Sequence, residues 1–439
     1  MVVRLQNFKN IFLVQDLRKK LALTFVILAV FRFGAHVSIP GVDVTALFNM
    51  FSANLQGGIL AHLDLFSGGA LKAFSIFSLG MSPYITASIM FQLLTIMVPS
   101  LEALSKEGEY GRRIINQYTR YFTIVLAFAQ SFGLIKYLES QPGLVIDPGW
   151  GFRLTAVLLM SVGSLVVMWL GEQINVHGLG NGSSMVIFAG IIVGLPGALI
   201  HIWENFTLGQ TNIFIVALLL AVSLAVIACI IFLEKGERKI PVQYAKRVIG
   251  HKVYGGQSSY IPLKLNPSGV IPVIFSSAIL GVPATLAGMM TNWFPNVSRV
   301  LQDWFMRESL VYNVFNAGLI IFFAFFYTAI IFNPVELADN IRKSGGFIPG
   351  IRPGKKTAEF FDYLLTRVGF PGALYLATLA ILPSLLQNMI SFPVMFSGVS
   401  LLIVIGVGLD TSAQIESHLI ERRYEGFLTT GRLKGRLGR

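Results

Sequence analysis

Six histidines (His36, His62, His177, His201, His251 and His418) and one cysteine, Cys229, are the side chains best suited to hold a transition metal or act as nucleophiles. None is spaced for either task. No His-Glu-x-x-His or Cys-x-x-Cys is present, and a lone cysteine excludes an intramolecular disulfide. Gly350 to Gly354-Lys355-Lys356-Thr357 is one residue short of a phosphate-binding loop, and no strand precedes it. Gly178-Leu179-Gly180-Asn181-Gly182 lacks the strand–turn–helix setting of a dinucleotide site. Both read as turns. No catalytic constellation and no cofactor are expected.

The elements that would position any chemistry are apolar. Hydrophobic residues make up 54% of the chain and charged residues 13%, about half the charged share of a soluble domain. Runs near the ~20 residues that cross a bilayer recur at about 20–38, 73–98, 115–137, 152–171, 183–203, 212–233, 268–290, 312–332, 368–389 and 394–413. The first follows Arg18-Lys19-Lys20 and resembles a signal peptide, but no small-x-small cleavage site follows, so it reads as a retained span. The expected fold is an all-α membrane protein of ten spans, five in 1–205 and five in 206–439. The second half is then inverted relative to the first, which places a pathway at their interface.

Lysine and arginine fix the orientation. Of 34, 27 fall in the terminal segments and in the loops at 99–114, 234–266 and 333–367, and five fall on the other side. Both termini and the two long basic loops, 234–266 and 333–367, are therefore expected in the cytoplasm. The net charge of +12 reads as this bias rather than as a nucleic-acid site.

Ion-coupled transport needs ionisable groups at mid-membrane, and the spans almost lack them. Arg32 and Arg120 lie near span ends, where snorkelling to the interface is expected. The polar residues inside are Thr86, Ser88, Gln92, Gln130, Ser276 and Ser277. They are either helix–helix glue or a seam that can open toward lipid. Glycines, Lys72 and Pro83 interrupt 57–83, which is either a broken helix folded into the bundle or an ordinary external loop.

Several segments together identify a family. Phe66-Ser67-Gly68-Gly69-Ala70, Pro83-Tyr84-Ile85-Thr86-Ala87-Ser88-Ile89, Lys106-Glu107-Gly108-Glu109-Tyr110-Gly111-Arg112-Arg113, Gly178 to Gly182, Pro241-Val242-Gln243-Tyr244-Ala245-Lys246-Arg247 and Phe347-Ile348-Pro349-Gly350-Ile351-Arg352-Pro353-Gly354 resemble the signature loops of the SecY family, in order from about residue 10 to 435. The resemblance implies a clamshell hinged between the fifth and sixth spans, with an hourglass pore for unfolded polypeptide. It implies a constriction of Met81 (where the family has isoleucine), Ile85, Ile187, Ile274 and Ile403. It implies a plug at about 60–71, including Leu63, Phe66, Ser67, Gly68 and Gly69. A lateral gate of spans two and three against seven and eight would hold Thr86, Gln92, Gln130, Ser276 and Val282. Arg238, Lys239, Tyr244, Lys246, Arg247, Arg352 and Tyr424 would dock cytoplasmic partners. The implied partners are SecE and SecG in the lipid bilayer, the SecA ATPase or a ribosome on the basic loops, and preprotein signal sequences. A secondary solute transporter with inverted repeats and an intramembrane enzyme are the rival readings. The first needs a charged mid-membrane cluster and the second needs paired catalytic residues on facing spans.

Overall fold

The computed structural model describes residues 14–47, 64, 67–141, 143–209, 212–244, 247–249, 252–254, 258–290, 294–304, 309–390 and 398–430. The chain divides into two compact units. One holds the described parts of Met1–Phe51, Leu63–Gly194 and Val407–Arg439, and the other holds those of Leu195–Gly406.

The first unit is built on α1 (Gln15–Gly34), α2 (Ser82–Met97), α3 (Pro99–Lys106), α4 (Glu109–Glu139), α5 (Trp150–His177) and the start of α6 (Gly182–Thr207). α2 packs on α4, α4 on α5, and α1 on α5. Phe91 of α2 meets Tyr118 and Phe122 of α4 with ring centroids 6.4 and 6.0 Å apart. On one end of the unit Val42 bridges Val145, and the Asp43 and Ile146 N–H groups donate to Leu144 and Gly41 carbonyls. Asp43 fixes that turn. The Thr45 hydroxyl, then the Ala46 and Thr45 N–H groups, hold its carboxyl below the usual range.

The second unit holds α7 (Ile213–Lys235), β1 (Glu237–Tyr244), β2 (Arg247–Ile249), β3 (Lys252–Tyr254), β4 (Ser258–Lys264), α8 (Ile271–Met290), α9 (Pro295–Trp304), α10 (Leu310–Ile331), α11 (Pro334–Lys343), β5 (Gly346–Phe347) and α12 (Lys355–Ile390). α8 packs on α10 and α10 on α12. Phe275 of α8 meets Phe323 and Tyr327 of α10 edge-on, with centroids 5.7 and 6.2 Å apart. The last helix, α13 (Gly398–Thr430), begins in this unit and ends in the first.

Among the described residues six helical stretches are long and apolar enough to cross a membrane: Glu109–Glu139, Trp150–His177, Ile213–Lys235, Leu310–Lys343, Lys355–Pro383 and Gly398–Glu421. α2 and α3, bent by 99° at Val98, make a seventh if taken as one span, and Gly182–Gly197 and Ile271–Pro283 are shorter apolar helices. The protein is therefore an all-α, multi-pass membrane bundle. Prolines 196, 283, 371 and 383 sit inside its helices, which membrane helices tolerate when neighbours satisfy the freed backbone groups.

Three boundaries differ from the sequence expectation. The apolar run from 73 turns helical only at Ser82, with Pro83 in the first turn. Before that, Gly68, Gly69, Phe74 and Gly80 have φ of 65°, 84°, 42° and 52°, which no helix accommodates. The loop at 99–114 contains α3 and the start of α4, separated by a tight turn at Gly108. The loop at 333–367 contains α11, capped by Asn333 through the Val335 and Glu336 N–H groups, and the first turns of α12.

Candidate functional site

In the first unit Met81 and Ile85, at the head of α2, and Ile187 on α6 are buried, at 0%, 4% and 1% exposure. Met81 is held where α5 and α6 approach closely: a Cβ on Gly171 would lie 2.8 Å from its Cε, and one on Gly182 would collide with the Gly171 carbonyl oxygen. In the second unit Ile274 on α8 and Ile403 on α13 are equally buried. Each unit thus presents well-packed aliphatic side chains and no charge at these positions.

The stretch from Ser67 to Met81 is a folded seat rather than a loose loop. Ser67, Ser75 and Ser78 are fully buried. The Ile39 N–H donates to the Phe74 carbonyl at 2.8 Å and the Ile76 N–H to the Val37 carbonyl at 3.0 Å, so the chain after α1 closes over it. Ser78 Oγ donates to the Ser75 carbonyl at 2.6 Å, and Phe31 stacks on Phe77. The Arg32 guanidinium donates to the Gly68 carbonyl at 3.0 Å. Lys72 pairs with Asp64 at 3.3 Å. Gly68 lies directly on α6, where a Cβ on Gly190 would come within 2.6 Å of the Gly68 Cα. Leu63 and Phe66 lie outside the described residues.

The polar positions divide between two behaviours. Thr86 Oγ1 donates to the Ser82 carbonyl and Ser277 Oγ to the Val273 carbonyl, each within its own helix. Ser276 Oγ instead donates to Asn316 Oδ1 at 2.7 Å, joining α8 to α10. Gln92 Nε2 donates to Ser88 Oγ at 3.3 Å. Yet Gln92 Oε1 and Gln130 Oε1 are buried and accept no hydrogen bond among the described residues. Such an orphan acceptor costs about 1–3 kcal/mol. Val282 is half-buried on α8. Arg120 Nε donates to Glu172 Oε1 at 2.7 Å, tying α4 to α5.

Gly178 to Gly182 is a junction. The Leu179 N–H donates to Thr24 Oγ1 of α1, the Gly180 N–H to Gln414 Oε1 of α13, and the Gly182 N–H to Asn175 Oδ1 of α5. The backbone donors of this turn are thus taken by side chains of three helices.

The two long basic loops fold together. β1 pairs antiparallel with β4 (Ile240 opposite Ile261) and, through Gln243 opposite Phe347, with β5. Alternate β1 side chains Ile240 and Val242 enter a small core with Leu263, Ile341, Ile348, Phe361 and Leu364. Tyr244 packs against that core, while Arg238 and Lys239 are exposed, Lys239 beside Glu237. Arg352 is exposed between Gly350 and Gly354, whose φ values are 82° and 98°. Its carbonyl accepts from Thr357 Oγ1 at 3.0 Å, which fixes the turn and leaves the guanidinium outward. Lys246 lies outside the described residues. Arg247 falls on β2 and Tyr424 on α13.

The SecY family model matches residues 75–412. The chain belongs to the SecY family. The protein translocase subunit SecY of Escherichia coli (strain K12) is 45% identical over 428 residues, covering 96% of each chain. That of Aquifex aeolicus (strain VF5) is 40% identical over 429 residues, covering 96% of this chain and 99% of the relative. Among solved structures, a protein-conducting channel aligns with a TM-score of 0.66 at 16% identity, covering 92% of this chain and 93% of that one. Sec61 in the canine ribosome–channel complex aligns with a TM-score of 0.62 at 15% identity and the same coverage. These two likenesses show a shared fold.

Sequence reasoning missed Gly190, the Asp64–Lys72 pair and the Gln414–Gly180 bond. Gly190 shares its apolar helix with Gly194 and Gly197, which have nothing within 4 Å of their Cβ positions, so its glycine alone does not mark the close approach. The other two join residues that no local pattern links.

Proposed function

We infer that the chain is a gated, protein-conducting channel that moves unfolded preproteins across the plasma membrane and releases membrane segments sideways into it. It is not a secondary transporter, and as a member of a family of channel subunits it is not an enzyme. The single observation carrying this is the SecY match over 75–412. The ten spans form two inverted five-span halves, 1–205 and 206–439, closing as a clamshell with both termini in the cytoplasm. Met81, Ile85, Ile187, Ile274 and Ile403 form an aliphatic collar. A collar of this kind excludes ions by dewetting and deforms around a passing chain.

Segment 60–71 plugs the channel. A SecY structure described as having a plug domain that stabilises the closed state and maintains a membrane seal aligns with a TM-score of 0.66. The buried seat of Ser67 and Gly68 supports this role. The gate reading assigns Thr86, Gln92, Gln130, Ser276 and Val282 to a seam. There the orphan acceptors of Gln92 and Gln130 keep a dry contact weak enough for a signal sequence to compete. SecE and SecG are the membrane partners. SecA or a ribosome docks on Arg238, Lys239, Tyr244, Lys246, Arg247, Arg352 and Tyr424 and supplies the energy.

The test is a disulfide. Thr86→Cys with Val282→Cys, in a Cys229→Ser background, should cross-link on oxidation, block export, and recover on reduction. Complete cross-linking with undiminished export would place the seam elsewhere.

A further inference from the structure

The connection between α8 and α10 carries a helix of its own, α9, which packs on α8. Around it Phe294, Val297, Val300, Leu301 and Trp304 recur at helical spacing. At 100° per residue they fall within an arc of about 120°, the width of an apolar stripe that expects a cover. Yet Phe294, Val297, Val300 and Trp304 are between 49% and 54% exposed, while Ser298, outside the stripe, is 1% exposed. A polar side chain turns inward and the apolar stripe outward. Arg299, also exposed, falls about 160° from the centre of the stripe.

The cover follows from continuity. α9 is joined at one end to the apolar helix α8 and at the other to α10, which opens a stretch able to cross the membrane. On the ten-span reading α8 and α10 both cross, and a helix tethered between their ends stays at the bilayer boundary. There an outward apolar stripe is covered by lipid, and a terminal tryptophan suits the headgroup level.

We propose that α9 is an interfacial anchor, with Phe294, Val297, Val300, Leu301 and Trp304 seated in the acyl-chain–headgroup boundary of the leaflet opposite the β1–β4 sheet. The choice of leaflet rests on the ten-span reading, in which α8 crosses. The anchor sets the depth of the outer end of α8, the gate helix. Moving α8 then drags a lipid-embedded helix, so gating responds to the packing of that leaflet.

The experiment keeps Trp304 as the only tryptophan, by Trp150→Phe, Trp169→Phe, Trp203→Phe and Trp293→Phe. The chain, in complex with its membrane partners, is reconstituted into phosphatidylcholine–phosphatidylglycerol vesicles. Bromine on the lipid chains close to the headgroup should quench Trp304 emission more than bromine near the chain ends, and aqueous iodide should quench it little. Val297→Asn with Val300→Asn should red-shift the emission and open it to iodide. Strong iodide quenching without lipid quenching would put α9 in water, and protection from both would mean that a protein covers it. Either result overturns the anchor, as does lipid quenching unchanged by the double substitution. Should the four replacements prevent accumulation, a bimane on Val300→Cys in the Cys229→Ser background reads the same depths. None of these readouts depends on export, so failure of the gate cross-link leaves them interpretable.

Discussion

Gly190→Ala tests the proposed plug where Gly68 lies tightest against α6. The new Cβ would lie 2.6 Å from the Gly68 Cα, where carbon atoms normally settle at about 3.5–4.0 Å. The obstacle is backbone, which cannot swing aside as a side-chain tip would, so the seat must open by about 1 Å. Overpacking of this order costs about 1–3 kcal/mol. Alanine also favours the helix over glycine by about 1 kcal/mol, but that gain applies whether the plug is seated or not, and cancels. The unseated population should therefore rise about 5- to 150-fold. Gly194→Ala, one turn along α6 with nothing within 4 Å of its Cβ position, gains the same propensity without the clash and is the control. The assay is ion conductance across planar bilayers without preprotein, with export of a weakened signal sequence measured alongside. Gly190→Ala should leak and relax the signal requirement, and Gly194→Ala should do neither. Equal conductance from the two variants would refute the seat as the plug's closed position.

Arg352→Glu should leave membrane insertion intact but abolish SecA- and ATP-driven translocation in reconstituted vesicles, because removing one buried interfacial charge costs roughly 2–5 kcal/mol. Lys356→Glu, whose lysine already pairs with Glu359, should be mild, and equal effects would reduce the loop to a topology signal. Gln130→Leu removes an orphan acceptor. It should stabilise the closed channel by about 1–3 kcal/mol, raising the thermal midpoint and tightening signal selectivity, whereas a lower midpoint would show that the glutamine is satisfied in the assembled complex. Reporters fused after Gly255 and after Gly435 should both read cytoplasmic, and a translocated reporter at either point would sink the ten-span reading.

The family and the membrane class were legible because both are written locally, in long apolar runs and in glycine–proline loops with few alternatives. Where the second span becomes helical was not. A run that is apolar on every side has no period to read, and the positive φ of Phe74 reflects packing rather than sequence pattern. What Arg32 and Arg120 bind was not legible. Their partners, Gly68 and Glu172, lie 36 and 52 residues away and meet them only through tertiary structure. The basic loops announced themselves by charge and proline spacing. That they share one sheet and one small core depends on the register of Gln243 with Phe347, which neither loop encodes alone.

The last helix has a mechanical consequence. α13 runs unbroken for 33 residues, about 50 Å, against a hydrocarbon core of about 30 Å. Gln414 fastens it to the Gly180 N–H at 2.9 Å, with Thr411 against Met185 one turn earlier. From that fulcrum to Thr430 the helix forms a rigid arm of about 24 Å. Each degree of tilt moves its tip by about 0.4 Å, given that length. A load on the tip is therefore converted into torque at the junction of α1, α5 and α6, three residues before the Met185–Ile187 turn, whose Ile187 is proposed for the collar.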